Sequence, residues 1–430
     1  MSAVRDPTFG AGPPAAPSQV PPASPPNTGA VRAVSRAHPV PESRPGRLFG
    51  LSVGQVLAWQ GVLAAVLAAA VRPGWTLVPA GLAAVSVLTL TLVRQRGRWL
   101  YESLAIRLRF QARRRIQPPA GPVDPRLAAL REVLPELDVS GIVLRSGERI
   151  GVAYDGRAWV GVVAVQDSED VVPQPQQVGW LPVRELSEAL VVDDIRLAAV
   201  QVLRYTVPAP AGMLPPQSPV AMSYQQLNLR RTPASQHLWV ALRLDPALSP
   251  EAIEVRGGGT EGAQRAVKRC IARTLELLEA AGLRGRALDD ESLRSVLALA
   301  GGVRAVPAPP GTRRTEETWT YWQGDGTVHI TWWVKSWPDR GIPMQALQEA
   351  AVGVPSLSCS VSLTLHPVQT EGSRFRGLVR LSATSPAAAD IAAEAFRQAT
   401  EAVGIVLYRL DGEQEPGLAG TLPLGGGELA

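Results

Sequence analysis

Two apolar runs, residues 51–71 and 75–93, stand out from an otherwise mixed chain, and neither contains an ionisable side chain. Each approaches the roughly 20 residues a helix needs to cross a bilayer core, and only Arg72-Pro73-Gly74 separates them. The pattern predicts a two-helix transmembrane hairpin over 48–93, with antiparallel spans at 51–71 and 75–93. On the first span Gly61, Ala65 and Ala69 recur every four residues, a small-residue stripe suited to close packing against the second span or another subunit. After the hairpin, Leu100, Leu104 and Leu108 are spaced four apart among arginines, which predicts a basic juxtamembrane helix over 94–117, ended by Pro118-Pro119.

Beyond 124 the periodicity changes to short strands and amphipathic helices. Strand patterns at 141–144, 149–154 and 158–166 include the turn dipeptide Asp155-Gly156. From 158 onward the order β-α-β-β-α-β can be read twice, first through strand 158–166, a helix to Val192, strands 195–207 and 237–244, helix 260–281 and strand 283–288. The second copy runs through strand 327–337, a helix to Ala351, strands 357–368 and 375–383, helix 386–403 and strand 405–410. This is the order of a ferredoxin-like split unit. The fold expected is therefore a transmembrane hairpin followed by an α/β (α+β) cytoplasmic domain at 124–415, with duplicated units at 124–300 and 312–415 and a tail at 416–430.

Charge sets the expected orientation. From Arg94 to Arg115 there are eight arginines and one acid, Glu102, while the turn between the spans carries Arg72 alone. The positive-inside bias then places both termini in the cytoplasm of a multi-pass inner-membrane protein, with Trp75, Trp99, Arg94, Arg96 and Arg98 at the membrane interface. The formal net charge is +5, but the basic residues gather in 1–115 and the remainder is net acidic. A basic belt beside an acidic body suits anionic lipid headgroups and not nucleic acid. Residues 1–47 are rich in proline and poor in aromatics, so a disordered cytoplasmic tail is expected there.

Candidate chemistry is sparse. The two cysteines, Cys270 and Cys359, fall in helical and strand patterns and read as buried thiols. No Cys-x-x-Cys or His cluster suggests a metal, and His38, His237, His329 and His366 are scattered without a nucleophile context. Arg256-Gly257-Gly258-Gly259-Thr260 precedes a long helix and could present amides to phosphate, yet it reads better as a structural loop with Thr260 as N-cap. Asp193-Asp194 and Asp289-Asp290 could be metal-binding carboxylates of a sugar-nucleotide site, or turn and cap residues. Trp319, Tyr321, Trp322, Trp332, Trp333 and Trp337 form an aromatic zone around the turn Gly324-Asp325-Gly326, part core and part candidate interface anchor.

The proline-rich start, paired apolar runs, Gly97-Arg-Trp-Leu-Tyr-Glu102 and an α/β body together resemble the EccE family of type VII (ESX) secretion proteins. Further stretches resemble it in order and spacing: Asp193-Asp-Ile-Arg-Leu-Ala-Ala-Val-Gln-Val202, Trp239-Val-Ala-Leu-Arg-Leu-Asp-Pro246, Gly257-Gly-Gly-Thr-Glu-Gly-Ala263 and Leu410-Asp-Gly-Glu-Gln-Glu-Pro-Gly-Leu418, with Thr421-Leu-Pro-Leu-Gly425. The resemblance implies a non-enzymatic scaffold subunit of an inner-membrane secretion complex, assembled with EccB, EccC and EccD. It also implies one glycosyltransferase-like domain without working catalytic residues, in place of two modules. No catalytic residue, cofactor, metal or small-molecule substrate is expected. The alternative is a membrane-tethered transferase using Asp193, Asp194 and the loop Gly257, Gly258 and Gly259.

Overall fold

The computed structural model describes residues 47–427, apart from 49–50, 72–73, 96–97, 116–123, 144–146, 167–182, most of 209–234, 307–311, 338–342 and 368–372. The expected tail at 1–47 therefore lies outside the described residues save for Arg47.

The chain opens with short strands β1 (Arg47–Leu48) and β2 (Leu51–Ser52), then helix α1 (Val53–Ala70), a 3-10 turn (Gly74–Thr76) and helix α2 (Leu77–Leu92). The two helices pack on one another, tied by Trp59 Nε1 donating to Thr91 Oγ1 at 2.9 Å. The transmembrane hairpin is not what forms. Among the described residues no helix is long and apolar enough to cross a membrane. Leu51 and Ser52 are diverted into β2, and Gly74–Thr76 tightens into the 3-10 turn. This leaves helices of 18 and 16 residues, about 27 and 24 Å at 1.5 Å per residue, against a core of roughly 30 Å. The multi-pass inner-membrane placement falls with the hairpin on which it rested.

Strands β3 (Arg94–Gln95) and β4 (Arg98–Trp99) lead into helix α3 (Leu100–Arg113), followed by the single turn α4 (Leu130–Val133). The body then builds one large antiparallel sheet with helices laid on its faces. Its strands are β5 (Asp138–Val143), β6 (Arg149–Tyr154), β7 (Trp159–Gln166), β10 (Ala199–Val207), β11 (Ser235–Leu244), β12 (Arg284–Ala287), β13 (Thr315–Glu317), β14 (Trp322–Gly324), β15 (Thr327–Ser336), β16 (Ser358–Pro367), β17 (Ser373–Ala383) and β18 (Val406–Arg409). A small hairpin, β8 (Val191–Val192) and β9 (Ile195–Arg196), stands apart. The 12-stranded sheet runs β13-β14-β15-β17-β16-β10-β11-β7-β6-β5, with β12 added beside β7 and β18 beside β15, and every pairing is antiparallel.

Within that sheet the element order repeats. Strands β7, β10, β11 and β12 lie as β12-β7-β11-β10, with helices α5 (Val183–Glu188) and α7 (Gly259–Ala280) between them in sequence; α6 (Pro250–Val255) precedes α7. Strands β15, β16, β17 and β18 lie as β18-β15-β17-β16, with α9 (Pro343–Val352) and α10 (Pro386–Ala402). Each set is preceded by a hairpin, β5-β6 or β13-β14, and followed by a helix, α8 (Asp290–Gly301) or α11 (Gln414–Gly420). The two sets join where β10 pairs with β16, from Val200↔Leu365 to Thr206↔Cys359.

Helices α7 and α10 cover one sheet face because their apolar positions recur at helical spacing. Ala263, Ala266, Val267, Cys270, Ile271, Thr274, Leu277 and Leu278 are buried on α7, and Ala389, Ala392, Phe396 and Thr400 on α10. Gly161 on β7 permits the approach, since a Cβ there would sit 2.6 Å from Ile271 Cδ1. The opposite face carries α4 and α8 over β5–β7 and α11 over β15 and β17. The region expected as a tail at 416–430 is instead buried through Gly426: Leu418, Leu422 and Leu424 are at most 2% exposed.

Candidate interaction surface

The helical pair α1–α2 presents a continuous apolar exterior. Leu57, Leu63, Leu67, Val71, Trp75, Val78, Leu82 and Val85 are each at least 60% exposed, a concentration that marks an interaction site on a folded protein. Gly61 and Ala65 also face outward, and a Cβ on Gly61 would meet nothing within 4 Å, whereas Ala69 is buried. The small-residue stripe is thus split between the hairpin's inside and its outside. Trp75 is 75% exposed on the 3-10 turn. Arg94 and Arg98 fall in the β3 and β4 pair just before α3, and Arg96 lies outside the described residues.

Helix α3 fastens this arm to the body through a face different from its leucine stripe. Leu104 and Leu108 are exposed, while Glu102, Ile106, Phe110 and Arg113 turn inward. Glu102 accepts from the backbone N–H of Trp99 at 3.3 Å, closing the first turn. Phe110 meets Trp319 edge to face at 5.5 Å, and the Arg107 guanidinium lies 6.0 Å above the Trp319 ring. Arg113 donates to both oxygens of Glu317 at 3.0 Å and to the Gly412 carbonyl at 2.6 Å. Trp319 is therefore the anchor the aromatic zone contributes to this junction. Its neighbours differ: Trp322 and Trp332 are core, and Trp332 packs on Phe396 at 5.6 Å.

The residues of the transferase alternative come together, but as an ion-paired turn. Asp193 and Asp194 form the β8–β9 turn, Asp193 at φ 54°. Arg269 Nε donates to Asp193 at 2.7 Å, and Arg256 Nη1 and Nη2 donate to Asp194 at 2.8 and 2.6 Å. These guanidinium bonds hold both carboxyls below the usual carboxylate range. Gly257, Gly258 and Gly259 all take positive φ, and the Gly257 and Gly258 N–H groups donate to Glu254 and Ile253 carbonyls, so they are engaged in closing α6. The N-cap of α7 is Gly258, not Thr260. Asp289 caps α8 by accepting from Ser292 N at 2.7 Å, and Asp290 pairs with Arg294 and Arg149. Burial pushes the Cys270 and Cys359 thiols up to about 12.

Sequence reasoning missed Arg113, Glu317 and Glu415, which meet from three distant segments. The one legible signal was the excess of arginine before Arg115.

The architecture defines a duplicated single-sheet protein that carries an apolar helical arm on a basic, ion-paired helix. Residues 232–334 match the EccE family model, described as “Putative type VII ESX secretion system translocon, EccE”. The match runs from β11 through α6, α7, β12, α8, β13 and β14 into β15, and includes Trp239–Pro246 and the Gly257 loop, two of the stretches that resemble the family. No curated protein matches the chain.

Proposed function

We propose that the chain is a non-enzymatic structural subunit of a type VII protein secretion complex, joining its body to neighbouring components through the α1–α2 arm. The observation that carries this reading is the family match over 232–334. The broad apolar exterior of the arm supports it, because exposed apolar surface of that extent favours burial in an assembly. The partners are the EccB, EccC and EccD components, EccC being the motor that hydrolyses ATP. The arginines between Arg94 and Arg115 suit anionic surfaces, phospholipid headgroups among them.

The test is affinity purification of the tagged protein at native expression after mild cross-linking, followed by mass spectrometry. Recovery of a motor ATPase and further secretion components in one large particle is expected. A lone monomer or homodimer sinks the proposal.

A further inference from the structure

A cleft of about 550 Å³ opens beside the turn that joins β6 to β7, lined by Tyr154 and Trp159 from those strands and by Pro246, Pro250, Ile253 and Glu254 from α6 and the 3-10 turn before it. The two rings are fixed before any ligand arrives: their centroids lie 4.8 Å apart at 37°, and the Tyr154 hydroxyl donates to the Gly156 carbonyl at 2.7 Å. Two polar groups of the cleft are left unused. Among the described residues the Trp159 indole N–H finds no acceptor and the Glu254 carboxylate no donor. Strand addition is closed here, because Tyr154 is paired with both Asp138 and Trp159, and Trp159 with both Tyr154 and Leu244. Gly259 and Thr260 bring the first turn of α7 to the cleft, and its N–H groups would suit a phosphate. Glu254 Oε2 opposes an anion there, since it lies 3.0 Å from where a Cβ on Gly258, the N-cap of α7, would stand.

We propose that this cleft binds a proline-rich segment of a partner protein, held as a polyproline II helix and bearing an arginine. Such a helix makes no internal hydrogen bonds, so its carbonyls are open to the indole N–H, whereas an α-helical ligand has spent its own. Proline rings pack against the aromatic faces, and a preformed ligand meeting a preformed cleft loses little freedom on binding. Charge selects the arginine. Glu254 is exposed and unpaired, and Glu251, one turn earlier on α6, is exposed beside it. The arginines of the flanking turns do not neutralise them, Arg157 being held by Asp245 and Arg256 by Asp194. The cleft belongs to the first half of the sheet and does not depend on what the α1–α2 arm meets.

Fluorescence anisotropy of a labelled peptide, Pro-Pro-Ala-Pro-Pro-Ala-Arg, titrated with the full-length protein, should show saturable binding. Trp159→Phe keeps a ring and removes the N–H, and should weaken that binding about fivefold. Glu254→Gln, on an exposed surface, should weaken it about threefold. Ending the peptide in alanine in place of arginine should cost the same threefold with wild type and nothing with E254Q. Thermal melts check that both variants are folded, and E254Q carries the test if W159F is not. Absence of saturable binding, undiminished binding by folded W159F, an arginine preference that survives E254Q, or a glutamate-ended peptide that binds as tightly as the arginine-ended one overturns the proposal. None of these results bears on the co-purification that tests the secretion reading.

Discussion

Arg380 and His329 show how the interior of the sheet handles charge. Arg380 is 2% exposed and its guanidinium reaches Thr421 Oγ1 at 2.7 Å, Ser360 Oγ at 3.3 Å, the Ala300 carbonyl and His329 Nδ1. With Nδ1 accepting, the imidazole must carry its proton on Nε2, and a second proton would place two cations side by side in a dry site. Burial, then Arg380, hold His329 well below the ordinary histidine value of 6.5. Below 6.5 the unfolded chain takes up a proton that the folded one refuses, so stability is full above 6.5 and falls with acid. The expected slope is at most about 1.4 kcal/mol per pH unit. Denaturant midpoints at pH 7.5 and 5.5 should fall farther for wild type than for His329→Asn; equal falls would remove His329 as the cause.

At the level of elements, the C-terminal segment is where the chain departs most from its pattern. Gly417, Gly420, Gly425, Gly426 and Gly427 break every periodicity, which is why 416–430 reads as a tail. The glycines are there because the segment lies against the sheet: a Cβ on Gly420 would stand 2.6 Å from Leu378 Cδ1, and one on Gly426 2.3 Å from Thr364 Oγ1. Its backbone is met by sheet side chains, with Gln201 Nε2 donating to Gly420 O at 3.0 Å and accepting through Oε1 from Gly425 N at 2.8 Å. Arg376 Nη2 donates to Gly426 O at 2.7 Å, and Arg243 Nη1 to Leu424 O at 3.0 Å. A protein ending at Glu415 loses Leu418, Leu422 and Leu424 from the core at about 2–5 kcal/mol each, comparable to the whole 5–15 kcal/mol of a typical domain. Expression of that truncation should yield no soluble protein with a cooperative thermal transition; a melting temperature near wild type would restore the tail reading. The same cover explains Ser358, Ser360, Ser362 and Thr364, which alternate along β16 as a solvent-facing row would, yet are all at most 8% exposed. Strands with clean alternation and Asp-Gly turns were readable: Asp325 and Gly326 take the two positive φ values, 50° and 83°, that a tight β14–β15 hairpin demands. Helix ends were not readable in the apolar runs, where nothing in the side chains marks that Leu51-Ser52 would pair with Arg47-Leu48. The α3 junction was hidden for another reason, since Arg113, Glu317 and Gly412 are brought together only by the folded sheet.

For the whole molecule, the decisive feature is that two copies of one element order share a sheet. Strands β10 and β16 are buried along nearly their full length and supply each other's missing edge. The matched region 232–334 straddles the halves, taking β11 and β12 from the first and β13, β14 and most of β15 from the second. It depends on β10, β7 and β17, all outside it, for hydrogen-bonded neighbours. A half expressed alone would expose a strand edge of nine or ten residues, Ala199–Val207 or Ser358–Pro367, with largely apolar cover, the arrangement that recruits other edges and aggregates. Fragments 124–301 and 312–427 should therefore each appear as aggregate or oligomer by size exclusion. Produced together they should co-elute as a one-to-one pair, while the intact body unfolds in a single transition. A half that stays monomeric and melts cooperatively would mean that the β10–β16 seam is an interface between domains.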